Sequence, residues 1–510
     1  MNHAAHISQS TTVANQQTPT PGSVTGHNTR SRKSPISPNG TPLVLAYGLR
    51  DFASFPMAPL LQRALPQTYA QCVQMQRDAR NYCEAHVRGR AERLDQAIRH
   101  DHELIPHELI CASAPYHFTS MNAPSVLGGG NHGPVSTAIF AEEIAAADAG
   151  VFVIYGAHAL AFSLVLASLD TRMLARLTRE MRAADDTGEP LLLALAHTEP
   201  GGGSDVEDVE EINGANISSR YRRVPGGFRV SARKVFISNG SIARYNLVTA
   251  YADPARAADT LRAFLVPQNA EGFSLGRTEH KLGQRLSCAV EVICDDVFVP
   301  DADALDLTGE RGRAIDTALS LTRGPVGAMS TGIIRGTLER TLAYLQHKRV
   351  GDHFLFEEQH VQLALADMLS ALQTGRGLYL NAALAVEQWG LGAVLRRLPR
   401  WVPEGVSRSV TLERMLAQVD ALRGVRAAYE HIVPKPALQS MVAHSSLAKF
   451  TCSDLAVRTA MRALELLGPD ANDPRWGVEK QLRDAKLAQI FEGTNQVNRL
   501  HTVRGWLHTQ

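Results

Sequence analysis

The sequence predicts an α+β fold: an N-terminal helical domain over 42–189, a small central β domain over 190–302, and a C-terminal helical domain over 303–510. Two changes in hydrophobic period carry this reading. Helical spacing gives way near residue 190 to short apolar runs of strand length, and steps of three and four residues return after about residue 303. A third observation sets the start. Residues 1–41 are rich in Ser, Thr, Pro, Asn, Gln and Gly and hold almost no large apolar side chains, so they cannot bury enough surface to fold alone.

The elements follow in order. Gly128-Gly-Gly130 reads as a loop ahead of two buried helices over 138–147 and 151–169. Within 190–302 the runs 191–196, 247–251, 264–266 and 290–293 read as strands, and Pro225-Gly-Gly227 reads as a turn between strands. Farther on, Val326, Met329, Ile333, Leu338, Leu342 and Leu345 lie at helical spacing. A segment over 389–441 stands apart. Arg396, Arg397, Arg400, Trp401 and Arg408 precede an amphipathic run from Leu412 to Leu422, which reads either as a surface helical excursion or as a basic docking face for an acidic partner.

With 510 residues, 44% apolar and 20% charged, the chain is ordinary globular material large enough for several packed layers. A net charge of +1 argues against a nucleic-acid surface. Six scattered cysteines without a CxxC pair support neither a metal centre nor a disulfide framework. No uninterrupted apolar run approaches the roughly 20 residues of a membrane helix, and the N-terminus lacks a secretory pattern, so a cytoplasmic protein without membrane insertion is the expectation.

Chemistry concentrates in two distant segments. In Arg483-Asp-Ala-Lys-Leu-Ala-Gln-Ile-Phe-Glu492-Gly-Thr494-Asn-Gln496, helical apolar spacing leads to Glu492, and Gly493 is expected to stop the helix. A carboxylate emerging from apolar surface has its charged form disfavoured and its basicity raised, as proton abstraction needs. In Thr198-Glu-Pro-Gly-Gly-Gly203-Ser204-Asp205, glycines let backbone N–H groups approach a ligand closely, while Thr198 and Ser204 add hydroxyls.

Taken together, these segments resemble the signatures of the acyl-CoA dehydrogenase superfamily, in a short- and medium-chain-like form. Further landmarks come in the same order: Lys234-Val-Phe236-Ile-Ser238-Asn-Gly, Lys281-Leu-Gly283-Gln-Arg285-Leu-Ser287 followed by Asp296-Val-Phe-Val-Pro300 as a strand pair closing the central domain, and Thr322-Arg323-Gly-Pro325 as the opening of the first long C-terminal helix. The resemblance implies a central β-barrel-like domain between two helical ones, and FAD as cofactor. It implies flavin contacts from Thr198, Gly203, Ser204, Phe236, Ser238, Thr494 and Gln496, with Arg349 and Gln359 reaching the flavin of a neighbouring subunit. Ser204, Arg323 and Gly493 would face the substrate, and Glu492 would take the α-proton of an acyl thioester. Thr322 stands where some long-chain and branched-chain relatives keep their catalytic glutamate, which favours Glu492 as the only base. Implied partners are acyl-CoA or acyl carrier protein, an electron acceptor (electron-transfer flavoprotein or oxygen), and further copies of the chain in a homodimer or homotetramer.

Two departures bear on the dinucleotide end. Arg349-Val-Gly-Asp-His-Phe354 is one residue short of the family spacing before Gln359, and Glu465-Leu-Leu-Gly-Pro469-Asp-Ala replaces an amide and a glycine run. Rival readings are an acyl-CoA oxidase or a flavin monooxygenase on the same fold, and a flavin-free scaffold or carrier-binding protein.

Overall fold

A computed structural model describes residues 49–208, 211–308, 313–389 and 433–507. The tail over 1–41 and all of the segment over 389–441 except Trp389 and 433–441 lie outside the described residues.

Seven helices come first: α1 (Ala58–Ala64), α2 (Pro66–Tyr82), α3 (Ala91–His100), α4 (His107–Cys111), α5 (Pro134–Ala147), α6 (Ala149–Ser168) and α7 (Thr171–Asp186). Asp148 and Asp170 cap α6 and α7, their carboxylates accepting from the N–H of Val151 and of Met173. The α6 helix corrects one expectation. Its 20 residues, at a hydropathy of 2.0, are long and apolar enough to cross a membrane by length and composition. Its apolar side chains are instead largely buried against neighbouring elements of the fold, in cores shared with α5, α7 and β1.

The middle of the chain forms an eight-stranded sheet from β1 (Leu193–Ala196), β2 (Arg220–Val224), β3 (Gly227–Ser238), β4 (Tyr245–Tyr251), β5 (Leu261–Pro267), β6 (Phe273–Thr278), β7 (Ala289–Pro300) and β8 (Ala304–Asp306), with the short helix α8 (Ala257–Thr260) before β5. The order is β6-β7-β3-β2-β4-β5-β8, with β1 parallel to β4. Side chains of β3, β4, β5 and β7 meet in one core, as a curved sheet requires. Pro225 and Gly226 join β2 to β3, whose first residue Gly227 pairs with Val224, and Gly226 sits at φ +76°. Lys281–Ser287 is a loop rather than a strand; only the stretch from Ala289 to Pro300 pairs.

The C-terminal helices are α9 (Arg313–Leu345), α10 (Gln359–Trp389), α11 (Lys435–Leu467), α12 (Val478–Ala488) and α13 (Asn495–Trp506), with the ribbon β9 (Arg349–Val350) and β10 (His353–Phe354) between α9 and α10. Thr322-Arg323-Gly-Pro325 does not open α9. The helix is already under way at Arg313 and runs through Pro325, packed on several sides. Close packing shows in the glycines: a Cβ on Gly332 would lie 2.6 Å from the Glu142 carbonyl, and one on Gly336 2.5 Å from that of Ala146. These two positions let α9 lie directly against α5.

Ionic pairs hold this bundle together. On α5, Glu142 accepts from Arg376 (2.6 Å) and Tyr379 (2.6 Å), and Glu143 from Arg335 (3.1 Å) and Arg80 (3.1 Å). Burial pushes the Glu143 carboxyl up, but the guanidinium groups overcome it and hold it at about 2.

Candidate active site

The site is assembled where the C-terminal segment meets the central β domain. Helix α12 stops at Ala488, and the chain turns through Ile490 and Phe491 before Glu492. Glu492 therefore sits in a loop and not on a helix end, and Gly493 does not terminate the helix. Both residues adopt left-handed backbone, at φ 56° and 73°. A non-glycine residue held there costs free energy that the surroundings must offset. They do so with donors. Arg323 Nε donates to the Glu492 carbonyl (3.2 Å), Lys449 Nζ to that of Gly493 (2.7 Å), and Asn498 Nδ2 to both (3.2 and 2.9 Å). A Cβ at Gly493 would meet Val497 at 2.7 Å and Arg323 at 2.9 Å, so this position requires glycine on two counts.

Within this loop the Glu492 side chain faces a cavity of about 1910 Å³. The Thr322 hydroxyl donates to Glu492 Oε2 at 3.0 Å. Burial, followed by the nearby Glu207 carboxylate, pushes the Glu492 carboxyl up to about 7, against the opposing pull of Arg323, Thr322 and Lys449. Burial also pushes the Lys449 ammonium down to about 7. Arg323 is fully buried behind the loop, bonded to Ser446 (3.1 Å) and to Glu207 (3.4 Å). Glu207 and Lys449 were not singled out by the sequence reading. Glu207 stood two places beyond Asp205 in the glycine-rich segment, and that was its one signal.

Thr198, Gly203, Ser204, Phe236, Ser238 and Thr494 line the same cavity as Glu492. Ser204 joins the two segments by accepting from the Thr494 N–H at 3.0 Å. Nothing lies within 4 Å of a Cβ built on Gly203, so the space on that side is open, while its N–H donates to Asp205 (2.7 Å) and its carbonyl accepts from Val206 (3.2 Å). Phe236 is the unusual member. A register shift between Lys234 and Ile237 lifts it out of the β3–β7 ladder, at φ 61° and 60% exposed. Beneath it Lys234 is buried and donates to Glu199 at 2.9 Å. Burial raises the Glu199 carboxyl, but Lys234 outweighs this and holds it at about 2. Glu199 and Lys234 are thus a structural pair shaping the loop.

Other expected residues lie elsewhere. Arg323 and Gly493 are buried behind the cavity wall, so in this chain they support the loop rather than line the substrate space. Arg349, Gln359 and Gln496 are exposed and away from the cavity. Arg349 donates to the Asp352 carbonyl and lies 4.9 Å over the ring of Phe354, so the displaced phenylalanine packs against the arginine it follows. Asp470 is held by Tyr344 (2.8 Å) and Lys348 (2.7 Å), and Glu465 pairs with Arg462 (2.7 Å). The Arg483-Asp-Ala-Lys motif is a docking surface. Arg483 binds Asp95, Asp484 accepts from the Gln284 N–H, and Gly283 lies against the Arg483 backbone. This clamps the Lys281–Ser287 loop onto α12 and positions the segment that leads to Glu492.

Comparison with known proteins agrees with this geometry. Models for the N-terminal, middle and C-terminal domains of acyl-CoA dehydrogenase match residues 70–172, 194–297, and 310–392 with 407–507. The cyclohex-1-ene-1-carbonyl-CoA dehydrogenase of Geobacter metallireducens is 27% identical over 386 residues, covering 75% of this chain and 85% of that protein. Butyryl-CoA dehydrogenase from Megasphaera elsdenii superimposes with a TM-score of 0.66 at 22% identity, over 86% of this chain and 98% of the other. The prolyl acyl carrier protein oxidase AnaB does so at 0.64 and 17%, over 85% and 98%. The chain belongs to the acyl-CoA dehydrogenase superfamily of FAD-dependent oxidoreductases.

Proposed function

We propose that this protein catalyses the α,β-dehydrogenation of an acyl thioester, with Glu492 as the base that takes the α-proton. One observation carries the reading: a carboxyl raised to about 7 faces the same cavity as an exposed aromatic ring and three hydroxyl side chains. FAD fits those residues. Phe236 offers a flat face, Gly203 leaves room beside its backbone, and Thr198, Ser204 and Ser238 offer hydroxyls to the polar edge of an isoalloxazine. When bound, FAD supplies the hydride acceptor that no amino-acid side chain provides.

The chain's own residues handle the proton. Thr322 holds Oε2 of Glu492, leaving Oε1 to receive the α-proton. The half-buried apolar neighbours Leu487 and Phe491 keep water from the carboxylate and so maintain its basicity. Arg323, Lys449 and Asn498 keep the loop from moving as the charge on Glu492 changes. The acyl carrier is coenzyme A or an acyl carrier protein, in keeping with the names of the Geobacter relative and of AnaB. The electron acceptor is electron-transfer flavoprotein or oxygen. The test is incubation of the purified flavoprotein with a saturated acyl thioester and an artificial electron acceptor. Mass spectrometry should find an acyl group two hydrogens lighter; unchanged thioesters across a series of chain lengths, with FAD still bound, would contradict the reading.

A further inference from the structure

Arg323 braces the Glu492 loop, and the groups that hold Arg323 reach well behind the cavity wall. Besides Ser446 and Glu207, its guanidinium meets the ring of His501, with Nη1 2.5 Å from Nδ1. The other ring nitrogen, Nε2, lies 3.2 Å from Oδ2 of Asp208. All three side chains are buried. The donors fix the tautomer. A guanidinium has N–H groups and no acceptor, so Nδ1 must present its lone pair to Arg323. The ring proton is then on Nε2, where it donates to Asp208.

Asn498, His501 and Arg504 follow at three-residue steps on α13, the helix that leaves the Glu492 loop. Asn498 donates to the Glu492 and Gly493 carbonyls, His501 accepts from Arg323, and Arg504 donates to Asp208. Asp208 lies three residues beyond Asp205 of the glycine-rich segment, so the relay ties that segment to the loop from behind. Other charged groups packed around it are Asp316 on α9, Lys435 and Lys449 on α11, Glu207 beside Asp208, and Glu211, which pairs with Arg504.

We propose that His501 is a positioning residue for the dehydrogenation, a neutral bridge through which Asp208 fixes the Arg323 guanidinium against the Glu492 loop. The inference rests on Glu492 being the base, as proposed above, and adds the group that keeps its brace in place. Proton transfer to Glu492 removes a negative charge that acts on Arg323. An imidazole polarised by Asp208 accepts from Arg323 before and after that transfer, so the brace need not move. A second ring proton would set two donors against each other, and an apolar side chain would leave a buried cation short of one acceptor.

The experiment is anaerobic bleaching of the flavin by a saturated acyl-coenzyme A thioester across a pH series, in the wild-type holoenzyme, His501→Leu and His501→Gln. In His501→Leu the limiting rate should fall roughly ten- to a hundredfold, the scale of a small misplacement of the base. The pH midpoint of the rate should rise, because Arg323 is one of the groups that hold the Glu492 carboxyl down. FAD content and the thioester concentration giving half the limiting rate should stay within about twofold of wild type. Glutamine can accept from Arg323 and donate to Asp208, so His501→Gln should recover most of the rate and the midpoint. Asp208→Ala removes the group that fixes the tautomer and should show the same defect in milder form, which keeps a readout if His501→Leu folds poorly. A wild-type rate and midpoint in His501→Leu, or in Asp208→Ala where the former does not fold, would overturn the proposal. Equal losses in the leucine and glutamine variants would do so too, since ring packing alone would then explain them. Bleaching at wild-type rate in Glu492→Gln would remove the base reading and this one with it; collapse there with intact His501 variants overturns this one alone.

Discussion

Glu492 owes its basicity to burial first and to Glu207 second, while Arg323, Thr322 and Lys449 limit the rise. If Glu492 is the proposed base, it must be unprotonated to accept the α-proton, so kcat/KM should climb with pH through about 7. Glu207→Gln removes a cause that raises this carboxyl, and the climb should move to lower pH. A profile that is unmoved or shifted upward would show that Glu207 does not act on the base. Phe236 gives a second residue-level expectation. Its ring is exposed and its backbone is left-handed, so little packing depends on it. Phe236→Leu should weaken FAD binding by roughly three- to tenfold, the worth of one aromatic contact, and leave the melting temperature nearly unchanged. Flavin fluorescence titration alongside thermal unfolding separates the two effects. Glu492, Thr198, Ser204, Phe236 and Ser238 were legible in the sequence because each lies in a segment whose residue order is itself distinctive. Glu207 and Lys449 were not, because what makes them matter is proximity to Glu492 between segments well separated in the chain, which no local spacing records.

The helices show where local patterns mislead. Steps of three and four residues located α9, and strand-length apolar runs located β1, β4, β5 and β7, since each buries one face or lies wholly in the sheet core. Element ends were another matter. Pro325 marks a helix start in most contexts, yet here α9 continues through it, because packing against α5, α6 and α11 offsets the missing N–H. Gly493 resembles a helix stop, yet α12 ends at Ala488 and the glycine serves a loop that must turn around Arg323. The α5 helix carries Glu142 and Glu143 in a wholly buried stretch, and the sequence alone does not reveal which arginines meet them. Arg335→Met deletes one partner of this buried cluster and leaves Glu143 with Arg80 as its remaining arginine. It should destabilise the fold by about 3–5 kcal/mol, read as a lower denaturant midpoint, since a buried charge that loses a partner is the costly outcome. A variant as stable as the wild type would mean that Arg80 suffices for Glu143.

On the proposed reading a single chain holds the flavin-ring side of the site, while Arg349, Gln359 and the segment from Gly468 to Asn472 do not line its cavity. In the resemblance those segments serve the flavin of another copy, and Leu500, Val503 and Leu507 form an exposed apolar stripe near α13's end that suits a second subunit. On that account Pro469→Gly combined with Glu465→Gln should tighten FAD by restoring a backbone donor and removing a negative charge near phosphate; unchanged affinity would place this segment away from the cofactor. The whole arrangement, from the α12 clamp on the Lys281–Ser287 loop to the Arg323 brace, serves to present one carboxylate to one cavity. The most direct measurement is anaerobic stopped-flow bleaching of the bound flavin by a saturated acyl thioester, in the wild type and in Glu492→Gln. The variant should keep its FAD and lose bleaching rate by roughly 10²–10⁴-fold, the usual contribution of a general base. Bleaching at near wild-type rate would show that another group takes the α-proton.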